Sequence, residues 1–308
     1  FYYCGKFSNG QSAIGVAVAD HPAGPYKDKG EALITVDMCK QAGIKMGQAI
    51  DPSIFTDDDG TSYITFGNGA AAIAQLSDDM MSIEKDTLKQ INGLTDFRES
   101  VVVTKANGKY HWTWSCDDAN SPNYHVNYGV SDTLLTDDGS ASVTLVKKNL
   151  LAKDESLGIL GSAHQSIVHV KDGKGQDRYF MAYHRFYTPL NIFTAGDGLG
   201  VHRETCIDEI TFDKDGYMQV TPTHEGVDAV KMIPDEPEVP DTPDTPEQPE
   251  NPEEPMNPEQ PDTPQNDNGQ MTTSKPAPTG DGTNVILLIM TMMIALGVVW
   301  RKKETKTK

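Results

Sequence analysis

Two carboxylates stand where chemistry could be done. Asp51 lies in AIDPSIFTDDDGTSYITFG, residues 49–67, and Glu99 lies in FRESVVV, residues 97–103. Each precedes or opens a run rich in β-branched and aromatic residues, the pattern of a hairpin's first strand. The acids Asp57, Asp58, Asp59, Asp172 and Asp215 differ, because they fall at turn tips, where Asp is favoured for its local hydrogen bonds. FTDDDG loosely suggests a calcium loop, but Phe55 occupies the first ligand place, so that reading is rejected. If separate hairpins aimed Asp51 and Glu99 into one cavity, the pair would suit hydrolysis of a glycosidic bond. One carboxyl must carry a proton for the leaving oxygen while another is ionised. Burial and like-charge proximity are the forces that separate their pKa values. On spacing alone, a turn-capping Asp before Pro52 and a Glu paired with an Arg explain the same residues.

The elements that must position these carboxylates read as hairpins. Four turns are expected: at Asp59-Gly60, at Asn107-Gly108, near Asp172-Gly173 and at Asp215-Gly216. Asp-Gly and Asn-Gly between β-rich runs mark tight turns because both residues tolerate positive φ. No long amphipathic helical pattern appears, so residues 1–230 read as all-β. The hairpins recur at the spacing of four-stranded propeller blades. FYYCGKFSNGQSAIGVAVAD at the start fits the later part of an earlier blade. About four blade-like units are expected, one incomplete, with a β-sandwich as the alternative architecture.

The rest of the chain has another character. From Pro234 to Pro264 a proline falls at every third residue, among Glu, Asp, Gln, Asn and Thr. Polyproline II turns about once every three residues, so this tract reads as an extended, solvated stalk within a linker over residues 231–281. Residues 282–300 are uncharged and largely apolar, and Arg301, Lys302 and Lys303 follow. That pattern predicts a membrane-spanning helix with a basic cytoplasmic tail, residues 301–308, and everything before it outside the cell. Thr279-Gly280 ahead of the apolar run resembles a sortase sorting signal, which implies peptidoglycan attachment. Pro276 and Ala277 stand where that signal has Leu-Pro, so a retained membrane anchor is the alternative. The net charge is −19; without the stalk's twelve acids (residues 234–270) and the net +4 of residues 271–308, residues 1–233 carry −11. An acidic domain argues against nucleic acid, which requires a basic face. Cys4, Cys39, Cys116 and Cys206 have no metal-ligand spacing and read as mostly buried free thiols.

Several stretches in order carry a resemblance: VAVADHPAGPYKDKG, AIDPSIFTDDDGTSYITFG, FRESVVVTKANGKYHWTWS, GSAHQSIV, YFMAYHR and HRETCIDEITFDKDGYMQVTPTHEGV. Together they resemble glycoside hydrolase family 43, the five-bladed propellers of arabinofuranosidases, xylosidases and arabinanases. The resemblance implies an inverting three-carboxylate enzyme for arabinan, arabinoxylan or xylan, with no required cofactor. Glu99 resembles its general acid, although Ser100-Val101 departs from the usual small residue and Pro. Asp51 resembles the residue that tunes and orients that acid, and would hold Glu99 protonated. His164 resembles a central His near an axial calcium ion or water cluster, and Arg203 a substrate-contacting Arg. Trp112 and Trp114 alternate along one strand, so they could stack on a sugar or pack in the core. The general base is expected in a first blade ahead of residue 1, because Asp20 and Asp37 sit in the wrong context. Residues 1–230 would then be an incomplete catalytic domain, and a non-catalytic glycan-binding module is the alternative.

Overall fold

The computed structural model describes residues 1–188 and 200–230. The expected stalk, apolar segment and basic tail lie outside them. Among the described residues no helix is long and apolar enough to cross a membrane.

Strands dominate, in four sheets that run in chain order. The first sheet holds β1 (Tyr2–Lys6), β2 (Ser12–Val18), β3 (Lys27–Asp28) and β4 (Ile34–Thr35). The second holds β5 (Ser53–Thr56), β6 (Ser62–Phe66), β7 (Ala72–Gln75) and β8 (Lys89–Asn92), and β12 (Ala141–Ser142) adds to β8 in parallel. The third runs β9 (Phe97–Ala106), β10 (Lys109–Cys116), β11 (His125–Ser131) and β13 (Thr144–Leu151). The fourth runs β14 (Ala163–Lys171), β15 (Asp177–Phe186), β16 (Arg203–Phe212) and β17 (Met218–Gln219). The architecture is the expected all-β, propeller-like succession of antiparallel blades. The described residues supply four of the five blades that the resemblance implies. One short helix, α1 (Val36–Gln41), interrupts the pattern, and the Thr35 hydroxyl caps it by accepting from the Met38 N–H at 3.2 Å.

All four expected turns form. The β9–β10 turn is the two-residue type, with Asn107 at φ +50° and Gly108 at +73°. The other three share one design: an Asp carbonyl accepts from a Gly N–H three residues on, as in Asp57–Gly60, Asp172–Gly175 and Asp213–Gly216. Asp172 and Asp213 also accept backbone N–H groups through their side chains, the reason Asp is favoured there.

The core is three wedges, each between neighbouring sheets. Ile14, Ile34, Ile64 and Phe66 fill the first, Phe55, Ile73, Val101, Trp112 and Trp114 the second, and Tyr128, Met181, Tyr183 and Ile210 the third. Trp112 and Trp114 are both 0% exposed. Their indole N–H groups donate to Ser131 Oγ at 2.9 Å and to the Thr95 carbonyl at 2.8 Å. The reading of these two residues as sugar platforms is therefore corrected: no face of either ring is open to a ligand. Burying a Trp removes so much apolar area from water that packing wins once a neighbouring sheet covers that face. All four cysteines are free thiols; Cys39 and Cys116 are buried, Cys206 is half-buried and Cys4 is exposed.

Candidate active site

Hydrogen bonds link the inner strands across the sheets and fix the site between them. Ala49 N–H donates to Ser12 Oγ at 2.9 Å, and Thr65 Oγ1 donates to the Val101 carbonyl at 2.8 Å. Ser100 Oγ donates to the Gln165 carbonyl at 3.3 Å. Three non-glycine residues along these inner strands take left-handed backbone: Asp51 at φ +59°, Ser100 at +56° and His164 at +56°. Such conformations cost about 1–3 kcal/mol each and persist only where the surroundings impose them. Two coincide with irregular pairing. The β9–β10 register shifts opposite Ser100, and the β14–β15 register shifts between Ala163 and Ser166. A bulge bends a strand and re-aims its side chains, here toward a shared centre.

That centre brings together Asp51, Glu99 and His164, whose ligand atoms lie within 4.8 Å of one another. His164 sits between the acids, with Nε2 3.7 Å from Asp51 Oδ1 and Nδ1 3.6 Å from Glu99 Oε1. Both carboxyl side chains are largely buried, 15% exposed for Asp51 and 12% for Glu99. Asp51 is poorly supported. Its N–H donates to Cys4 Sγ at 3.2 Å, but Oδ2 is buried with no partner. Glu99 is well supported, receiving Asn68 Nδ2 at 2.8 Å and the Tyr124 hydroxyl at 2.7 Å. Asn68 follows Gly67, which at φ +127° turns the chain where a Cβ would lie 2.2 Å from the Ala70 carbonyl oxygen. Only glycine fits there, and its tight turn presents Asn68 to Glu99.

The electrostatics follow from this asymmetry. Burial pushes Asp51 up to about 6; the nearby Glu99 charge adds to the shift, and His164 and the Ser100 N–H oppose it. Burial also works against ionisation of Glu99, but the His164 ring, the Tyr124 hydroxyl and the Asn68 amide outweigh it and bring Glu99 down to about 2. The resemblance led to the opposite expectation, a protonated Glu99 beside an ionised Asp51. In this geometry the carboxyl with fewer donors, Asp51, takes the proton first. Burial disfavours the charged His164, yet the two acids raise its pKa on balance. Burial, reinforced by Arg203 and His164, lowers His184 to about 4.

Arg203 is exposed at the start of β16 and reaches the same region. Its Nε donates to the Gly200 carbonyl at 2.7 Å, and its NH1 lies 3.3 Å from His184 Nε2. His184 stacks on both Tyr124 and His164. Asp20 and Asp37 are exposed, and Asp37 bonds Gln11. The axial calcium ion implied by the resemblance would find few protein oxygens here and would depend on waters for most of its ligands. The cluster offers two carboxylates and one imidazole, whereas calcium takes six to eight oxygen ligands. Both His164 nitrogens also already face partners, Tyr124 and Glu99 on one side and Asp51 on the other.

Sequence reasoning placed Asp51, Glu99, His164 and Arg203 at the site and missed Cys4, Asn68, Tyr124 and His184. Asn68 had a faint signal, a polar residue after the glycine that ends a strand. Tyr124 had none, because a Tyr entering β11 looks like any core aromatic and is 0% exposed.

Blade-like sheets that deliver buried carboxylates to a common inner end define a class, the propeller-type glycoside hydrolases. The chain belongs to glycoside hydrolase family 43, whose sequence model, described as glycosyl hydrolases family 43, matches residues 1–218. It is similar to a β-D-galactofuranosidase of Aspergillus niger, 32% identical over 222 residues that cover 70% of this chain and 58% of that protein. It is also similar to an arabinoxylan arabinofuranohydrolase of Paenibacillus polymyxa, 26% identical over 68% of this chain and 34% of that protein. Among solved structures, a thermostable family-43 glycoside hydrolase superposes with a TM-score of 0.57 at 25% identity, covering 75% of this chain and 73% of that one. The chain thus spans about a third to three-fifths of the length of these two curated relatives.

Proposed function

We propose that the protein hydrolyses O-glycosidic bonds of arabinose- or xylose-containing plant glycans (arabinan, arabinoxylan or xylan) with inversion at the anomeric carbon. One observation carries this reading: Asp51 and Glu99, from adjacent sheets, converge with His164 in one largely buried cluster whose ligand atoms lie within 4.8 Å of one another. Family membership and the furanose-directed relatives support the substrate class. In the reaction the glycosidic C–O bond breaks as Glu99 gives its proton to the leaving oxygen. Water attacks the opposite face of the anomeric carbon and loses its proton to a third carboxylate roughly 6.5–9.5 Å from the acid. Asp20 and Asp37 are both exposed and stand apart from the cluster of Asp51, Glu99 and His164. Glu99 must first be recharged. The Tyr124 hydroxyl lies 2.7 Å from Glu99 and 3.0 Å from His164 Nδ1, so a proton can pass from the imidazole through that hydroxyl to the acid. Arg203 binds the sugar at the rim. The sequence of residues 231–308 supports a stalk and membrane or wall anchor that hold the domain outside the cell, with sortase and peptidoglycan as partners if Thr279-Gly280 is cleaved.

The low position of Glu99 favours a second reading, a glycan-binding module without turnover. The test is release of aryl alcohol from α-L-arabinofuranoside, β-xyloside and β-galactofuranoside by the full-length protein. Release from one of the first two supports the proposed activity. Binding of arabinoxylan oligosaccharides without any release supports the module.

A further inference from the structure

We propose that Gln165 is a positioning residue that locks Glu99 and His164 into one geometry. Gln165 is only 2% exposed and follows His164 directly. Its side chain spans two sheets. Nε2 donates to the Ser100 carbonyl at 2.9 Å and to Thr113 Oγ1 at 3.0 Å, and Oε1 accepts from Ser115 Oγ at 3.2 Å. A carbonyl can only accept, so the Ser100 contact fixes which way the amide faces. Two of these partners flank the chemistry. Ser100 follows Glu99 directly and sits in the left-handed region at φ +56°. Ser115 Oγ accepts the N–H of His164 at 2.9 Å, and His164 is left-handed at the same angle. The Gln165 carbonyl closes the loop by accepting from Ser100 Oγ at 3.3 Å.

The bulges at Ser100 and His164 therefore face each other across one buried amide whose polar atoms are all satisfied. Left-handed backbone at a Ser and a His does not hold itself. The amide supplies the constraint: if Ser100 relaxed toward ordinary strand geometry, its carbonyl and hydroxyl would leave Gln165, and Glu99 would swing away from Tyr124. Gln165 touches no reacting atom and acts only through its neighbours.

The inference rests on the proposed hydrolysis for its kinetic arm alone. Gln165→Met keeps the length and removes every side-chain polar atom. In its crystal structure Ser100 should leave the left-handed region and Glu99 should lose its hydrogen bond to Tyr124. With the intact protein and an aryl arabinofuranoside, kcat should fall about 100-fold while KM stays within about threefold, the cost of a misplaced group of order 1 Å. An unchanged Glu99–Tyr124 contact with kcat within threefold of the parent would overturn the proposal. If Gln165→Met does not fold, Ser115→Ala removes a single hydroxyl from the same bridge. It should shift His164 and lower kcat about tenfold, and an unmoved His164 with full kcat would equally overturn it. A parent protein without turnover would refute the hydrolase reading, and the two crystal structures would still decide the role of Gln165.

Discussion

Replacing Asp51 by Asn should stabilise the fold at neutral pH, although the residue belongs to the proposed catalytic cluster. Asp51 is mostly buried, its Oδ2 has no hydrogen-bond partner, and its pKa stands at about 6 against 3.8 for an ordinary Asp. A displacement of roughly two units at about 1.4 kcal/mol each means that ionising Asp51 in the folded state costs about 3 kcal/mol at pH 7. The sign follows from proton binding. Between pH 3.8 and about 6 the folded state holds more protons on this group than the unfolded chain. Its favourable contribution is therefore complete below pH 3.8 and is lost as pH rises through 6. Asn cannot ionise, so Asp51→Asn should exceed the parent by about 3 kcal/mol at pH 7 and by less than about 1 kcal/mol at pH 4. Glu99 has the opposite sign, with its contribution complete above pH 4.5 and lost as pH falls toward about 2, and both proteins carry it, so the difference between them reports Asp51. Urea unfolding from pH 4 to 7 reads the difference through the buried Trp112 and Trp114. With m of about 2–3 kcal/mol per M, the neutral-pH midpoint should rise by roughly 1 M. A variant no more stable than the parent at pH 7, or a gap that does not change with pH, would show that Asp51 is not held protonated by its burial.

Other substitutions separate the roles of neighbouring groups. Tyr124→Phe removes one donor to Glu99, a charge-assisted bond of about 1.5–3 kcal/mol, and should raise the Glu99 pKa by roughly one to two units in a carboxyl NMR titration. Trp114→Ala should cost about 3–5 kcal/mol in urea unfolding, and at a temperature where the variant remains folded its KM should match the parent's, because the ring fills core and touches no ligand. Arg203→Ala, at an exposed position, should leave the unfolding midpoint within about 0.5 kcal/mol of the parent. Its kcat/KM should fall tenfold or more.

Much of the fold was legible because its signals are local. An Asn-Gly or Asp-x-x-Gly turn needs only the backbone freedom and side-chain reach of its own residues, and all four turns formed where they were read. Asp51 and Glu99 were legible for a similar reason, since each is an acid set apart from the turn tips at a strand entrance. The Trp112/Trp114 stripe was ambiguous, because a strand's period of two says which residues share a face but not what covers it. The protonation order was not legible at all. It depends on Asn68 and Tyr124, respectively 31 and 25 residues from Glu99 in sequence, which become its donors only after three strands have folded. The role of Gln165 is likewise a property of two bulges meeting and leaves no mark in the chain.

Glu99 is the proposed proton donor to a departing glycosidic oxygen. The most direct test of that role is the dependence of rate on leaving group for Glu99→Gln in the intact protein. A general acid matters most when the departing oxygen is basic. The expected loss is at least about a thousandfold on arabino-oligosaccharides, and smaller by tenfold or more on a dinitrophenyl arabinofuranoside, whose leaving group needs no proton. Equal losses on the two substrates, or no loss on either, would contradict it.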